Sequence, residues 1–261
     1  MKVALILTGY MRNWEEHYPN IKKNIIDKYK PNIFICSYDH SQHSIGKEIV
    51  PIDTQKVIDT YKPKKYIFRS QEDTKYFDLI DGKNEKIGRE WSERTIRSWY
   101  NIYRSLKLFR PSAYDVIVRM RCDLSVENFE IDSSKNLVIP AHKVHPGPCE
   151  PEDSFIEHFA YGKPEYMKKY LSMYEKLESL HHENCDISVG EVILKDYIEK
   201  YIGLENVSLD YNVDWKTRDE LWASEVQKIC LDNVPEFAIQ APSTEKDECN
   251  PDDSQDDPQL K

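Results

Sequence analysis

The feature that most constrains this chain is an alternation of short, continuous apolar runs with segments of helical spacing. Val3-Ala4-Leu5-Ile6-Leu7 is such a run and ends at Thr8-Gly9, the pattern of a parallel strand buried on both faces that feeds a loop. Residues 14–29 then place Tyr18, Ile21, Ile25, Ile26 and Tyr29 at near-helical intervals until Lys30-Pro31 stops the pattern. The alternation continues with a strand at 32–36, a short helix at 55–61, a strand at 65–68 and a long helix at 90–109 closed by Arg110-Pro111. Further strands are expected at 114–124, 136–140 and 155–161, and helices at 164–177 and 188–201. Strands alternating with helices predict an α/β fold with a mostly parallel central sheet, helices on both faces and a helix-richer C-terminal half.

At 261 residues the chain suits one α/β domain with a large core. From Ala241 onward Pro, Ser, Asp, Glu and Lys replace apolar residues almost completely. Such a segment buries too little surface to offset its ordering entropy. The expected organisation is therefore a domain over 1–238 and an acidic, disordered tail over 239–261. The Pro- and Gly-containing stretch 141–152 is long enough for a functional loop.

The formal net charge of −10 argues against broad nucleic-acid binding, which draws on clustered Lys and Arg. The six cysteines are scattered without a C-x-x-C pair, as in a protein of a reducing compartment. The first apolar run is too short for a signal peptide, and no stretch approaches the roughly 20 apolar residues of a membrane span. A cytoplasmic protein without a transmembrane segment is expected.

Charge is concentrated on one strand. In Tyr114-Asp115-Val116-Ile117-Val118-Arg119-Met120-Arg121-Cys122-Asp123-Leu124, strand periodicity puts Val116, Val118, Met120, Cys122 and Leu124 on one face. Arg119, Arg121 and Asp123 fall on the other, near the carboxyl end, where ligands of open α/β sheets bind. Two guanidiniums suit a diphosphate, because Arg presents planar, bidentate donors to phosphate oxygens. Asp123 adds a hard oxygen ligand for Mg²⁺ or Mn²⁺. An edge strand carrying solvated ion pairs would show the same alternation.

Several stretches, taken in order, resemble a group of GT-A-like nucleotide-sugar glycosyltransferases found in large DNA viruses and bacterial surface-glycan loci. They are Ala4-Leu5-Ile6-Leu7-Thr8-Gly9-Tyr10-Met11-Arg12, Asn32-Ile33-Phe34-Ile35-Cys36-Ser37-Tyr38, residues 114–123, His158-Phe159-Ala160-Tyr161-Gly162 and a later Glu191. The resemblance spans roughly residues 3–200 and implies a single GT-A-like domain. In such enzymes an Asp-x-Asp motif commonly ends a core strand, its last carboxylate chelating the donor's metal. Asp123 takes that place here, whereas Arg121 stands where the first Asp would be. The resemblance assigns the loop after the first strand, with Thr8, Gly9 and Arg12, to the nucleotide.

Sugar transfer with inversion needs a carboxylate to remove the acceptor hydroxyl's proton, and Asp153, Glu157 and Glu191 are the candidates. His142, His145, Cys149 and His158 lack the paired spacing of structural zinc sites. His181-His182-Glu183 reads as an exposed helix-ending loop. Trp91, Trp99, Tyr100 and Tyr103 suit a sugar or nucleobase platform, although such helical spacing more often packs a core.

The first expectation is thus a glycosyltransferase that moves a sugar from a UDP- or GDP-linked donor to a hydroxyl of a glycan or glycoprotein, with Mn²⁺ or Mg²⁺ as cofactor. A non-catalytic carbohydrate- or nucleotide-binding module would keep the arginines and aromatics without a base. A nucleotidyltransferase would require a Gly- and Lys-rich first loop that this sequence lacks.

Overall fold

The first strand, β1 (Val3–Gly9), lies at the centre of the sheet and is flanked by β2 (Asn32–Tyr38) and β6 (Val116–Arg121). The structure, a computed structural model, describes residues 1–42, 49–70, 89–140, 155–182, 190–210 and 214–217. These residues fall within the unit Met1–Arg218. The expected boundary at 238/239, the acidic tail and the loop at 141–152 lie outside the described residues, as does the unit Asp219–Lys261.

After β1 come α1 (Trp14–Ile21), a π-helical turn (Lys22–Ile26) and α2 (Asp27–Tyr29), so 14–29 is helical as expected. Pro19 lies inside α1 and has no N–H to give the helix ladder; the wider turn follows it. Past β2 are a short hairpin of β3 (His40–Gln42) and β4 (Ile49–Pro51), then α3 (Thr54–Tyr61) and β5 (Lys65–Arg69). Helices α2 and α3 end alike: Lys30 and Lys62 adopt left-handed φ of 47° and 48° and a proline follows each, so neither helix can continue. Asp53 caps the start of α3 by accepting a hydrogen bond from the Lys56 amide at 2.9 Å.

The chain continues through α4 (Arg89–Arg104), β6, β7 (Leu124–Glu127), β8 (Leu137–Pro140), β9 (Phe159–Gly162), α5 (Pro164–Leu171), α6 (Leu177–His182), α7 (Gly190–Tyr201), β10 (Val207–Asp210) and β11 (Asp214–Thr217). The seven-stranded sheet has the order β10-β8-β9-β6-β1-β2-β5. Its strands pair in parallel except at β9, which is antiparallel to both β6 and β8.

Helices cover both faces, as expected. On one, Leu5, Leu7, Ile33, Ile35, Val118 and Met120 pack with Trp14, Ile21, Ile25, Val57 and Tyr61 from α1 through α3. On the other, Ala4, Ile6, Phe34, Cys36 and Ile117 pack with Trp99 and Ile102 of α4, Met167 and Tyr170 of α5, and Ile193 and Tyr197 of α7. Helices are spread along the chain, α1 through α4 before β6 and α5 through α7 after β9. The four later helices share one face of the sheet. No helix of the described residues is long and apolar enough to cross a membrane.

The expected strand at 114–124 is two strands. β6 ends at Arg121, Cys122 and Asp123 form a turn, and β7 joins β11 in a separate antiparallel pair. Its apolar alternation continues without a break because Leu124 and Val126 remain buried in the same core as Met120.

Candidate functional site

Along the sheet, the chain leaves β1 for β2 on one side and later enters β6 on the other. The crevice beyond the carboxyl ends of β1 and β6 is therefore a topological switch point, the place where open α/β sheets bind ligands. Thr8 and Arg121 are register partners across these strands. Gly9, with φ of 94°, turns the chain out of β1 in a conformation that glycine adopts without strain, and a Cβ there would lie 3.7 Å from Arg121 Cγ.

Because β9 runs antiparallel to β6, its amino end reaches this crevice. The Arg121 amide donates to the His158 carbonyl at 3.1 Å, which brings Glu157 and His158 to the charged end of β6. The structure thus assembles Thr8, Gly9, Arg12, Arg119, Arg121, Asp123 and Glu157 at one end of the sheet. Glu191 is the second residue of α7, beside Gly190, and its side chain lies outside the described part. Asp153, His142, His145, Cys149 and Glu183 also lie outside the described residues.

The two arginines of β6 differ in environment. Arg119 is 1% exposed; its Nε donates to Thr8 Oγ1 at 2.8 Å and its Nη1 to the Glu157 carbonyl oxygen. These donors tie β1 to the chain entering β9. Thr8, itself buried, is held to Arg119 through its Oγ1. Arg121 keeps 21% of its side chain exposed. Its Nε and Nη2 donate to Asp123 Oδ1 and Oδ2 at 2.8 and 2.6 Å, and its Nη1 lies 3.3 Å from the His158 ring. Arg12, with its side chain 14% exposed, approaches Asp123 Oδ2 at 3.9 Å.

Asp123 is 4% exposed. Burial alone would raise its carboxyl, but the Arg121 guanidinium and its hydrogen bonds, reinforced by Arg12 and His158, hold it at about 2. His17, on α1, donates to or accepts from Ser125 Oγ at 2.9 Å; burial lowers its imidazole against the opposing pull of Asp123. His17 was not foreseen because on its helix it reads as an ordinary polar position.

Glu157 projects toward the start of α7, and a Cβ on Gly190 would meet its Oε2 at 2.7 Å. That oxygen is buried and has no hydrogen-bond partner among the described residues, while Oε1 lies 3.9 Å from His158 Nδ1. Asp123, Arg121, His158 and Glu157 thus form a polar row along the crevice.

A second row crosses the ends of β1, β2 and β5. The Arg12 guanidinium lies over Tyr10 at 5.1 Å, Tyr10 stacks on Tyr38 at 4.7 Å, and Arg69 lies over both Tyr38 and Tyr100, at 5.7 and 4.6 Å. Alternating cations and ring faces attract one another, so this ladder fixes the Tyr10 loop and the approach of Arg12 to Asp123. Arg69 drew no notice in the sequence because one Arg at a strand end carries no pattern. Trp99, by contrast, is core, buried against Tyr170 with ring centroids 5.5 Å apart. Tyr100 and Tyr103 pair with Tyr174, and Trp91's side chain lies outside the described part.

The chain matches no family model, and no curated protein is significantly similar to it in sequence.

Mg²⁺ and Mn²⁺ are usually held by one or two carboxylates together with substrate phosphates; both Asp123 oxygens are hydrogen-bonded to Arg121. Among the described residues, no group of three or more His, Cys, Asp or Glu side chains converges to hold an ion.

Proposed function

We propose that the protein is a GT-A-like glycosyltransferase that transfers a sugar from a nucleoside-diphosphate donor, UDP- or GDP-linked, to a hydroxyl of a glycan or glycoprotein. The observation that carries this reading is the pairing, at the switch point, of two partly exposed arginines, Arg12 and Arg121, with a carboxylate whose Oε2 has no partner among the described residues, Glu157. Guanidiniums there suit a diphosphate, and an uncommitted carboxylate oxygen suits a general base.

In a single displacement, Glu157 takes the proton of the acceptor hydroxyl as its oxygen attacks the anomeric carbon. The bond from that carbon to the diphosphate oxygen breaks, and the diphosphate leaves with the electron pair. Arg12 and Arg121 stabilise the charge that develops on it. Arg119 has no direct part in this step; it fixes the backbone that carries Glu157.

A panel of nucleotide sugars and nucleoside diphosphates, scored by thermal shift and by donor hydrolysis, tests the reading. UDP or GDP is expected to raise the melting temperature, and Glu157→Gln to abolish transfer while leaving that stabilisation in place. Absence of stabilisation by every nucleoside diphosphate would sink it.

A further inference from the structure

We infer that Arg69, Asn101 and Arg104 form an oxyanion site, for a phosphate or carboxylate group of a small ligand, between the end of β5 and α4. The inference is independent of the glycosyltransferase reading.

Arg69 closes β5 and is 4% exposed, yet its Nε and Nη2 have no hydrogen-bond partner among the described residues. These two atoms make up one edge of the guanidinium fork. Arg121 shows what that edge takes: its own Nε and Nη2 hold the two Asp123 oxygens at 2.8 and 2.6 Å. A planar fork meets carboxylate or phosphate oxygens in pairs. The Arg69 guanidinium lies over the Tyr38 and Tyr100 rings, at 5.7 and 4.6 Å. Ring faces offset part of the cost of a buried cation, but they leave the N–H groups in its plane unmet.

Two further donors share this condition. Asn101 is fully buried; its Oδ1 accepts from the Cys36 thiol at 3.0 Å, while its Nδ2 has no partner among the described residues. Arg104, about one turn further along α4, has its Nε buried and likewise without a partner there.

The three residues gather around shared neighbours. Arg69 and Arg104 lie over the same ring, Tyr100, at 4.6 and 5.9 Å. Their charges both bear on the buried Cys36 thiol, against the rise that burial imposes on it, and Cys36 in turn bonds Asn101. Buried donors without acceptors are rare in folded proteins, because each has given up water for nothing. Three of them on adjoining residues, two cationic, call for an acceptor that carries negative charge.

The test is thermal unfolding of the full chain near neutral pH in chloride buffer, with inorganic phosphate or acetate added at matched ionic strength. At least one of these ions is expected to raise the melting temperature saturably. Its apparent dissociation constant should weaken about tenfold or more in Arg69→Gln and about threefold in Arg104→Gln. Response to phosphate alone assigns a phosphoryl group, to acetate alone a carboxylate, and to both the shared oxyanion. Should Arg69→Gln fail to fold, Arg104→Gln, altered at a partly exposed side chain, carries the comparison. The proposal is overturned if neither ion gives a saturable shift, as when a carboxylate of the chain itself occupies the Arg69 edge, or if the folded variants respond as the parent does.

Discussion

Glu157 reaches its place beside α7 because residue 190 has no side chain: a Cβ there would stand 2.7 Å from Glu157 Oε2.

Gly190→Ala should therefore separate activity from stability. The clashing atom is the tip of a flexible side chain, so Glu157 gives way and the helix does not. Thermal stability is expected to change by no more than about 1 kcal/mol, while kcat falls about 10- to 100-fold with donor KM nearly unchanged. Steady-state kinetics beside a melting curve decide it; an unaltered kcat would remove Glu157's position from the mechanism.

Arg119 is expected to behave as structure. Its buried guanidinium bridges Thr8 Oγ1 and the Glu157 carbonyl across β1 and β9. Arg119→Met leaves both acceptors without that donor and should cost about 3 kcal/mol in denaturant unfolding. Arg119→Lys should recover little of it, because one ammonium cannot span both acceptors in fork geometry. A lysine variant as stable as the parent would contradict the bridging role.

The difference between Arg119 and Arg121 marks how far sequence reading reaches. Strand periodicity puts both on one face of β6, and both do face that way, but depth beneath α4 and α5 separates a buried bridge from a partly exposed donor. Period carries no information about depth. The strands β1, β2, β6 and β8 were legible because burial on both faces demands continuous apolar runs such as Val3 to Leu7. The pairs β3–β4 and β7–β11 were not: Ile49 and Val50 are exposed, and the Cys122-Asp123 turn lies within an unbroken alternation. Glu157, Arg12 and Asp123 could be singled out by residue type and order. Their meeting depends on the reversed direction of β9, and Gly190's part on a contact far apart in sequence; neither leaves a local trace.

Trp99 is expected to act as core and not as a sugar platform. It is fully buried against Tyr170 in the layer between α4 and α5, so Trp99→Ala should cost about 3–5 kcal/mol. Below its lowered melting temperature the variant should bind UDP or GDP with affinity close to that of the parent. Selective loss of nucleotide or acceptor binding in a fully folded Trp99→Phe variant would return the ring to the site.

The Arg121–Asp123 pair makes a last prediction through pH. Asp123 is held at about 2 in the folded protein against an ordinary value of 3.8. Between these values the unfolded chain binds a proton that the folded chain refuses, so folding loses support as pH falls. The stabilisation is complete above about pH 4, disappears as pH drops through about 2, and amounts to about 2 kcal/mol at 1.36 kcal/mol per unit of displacement. Asp123→Asn cannot titrate, so the stability difference between parent and variant should shrink by about that amount from pH 5 to pH 2. Urea unfolding across this range measures it, and carboxyl NMR follows Asp123 directly. A pH-independent difference, or an Asp123 carboxyl that titrates near 3.8, would show that Arg121 does not hold it as the geometry requires.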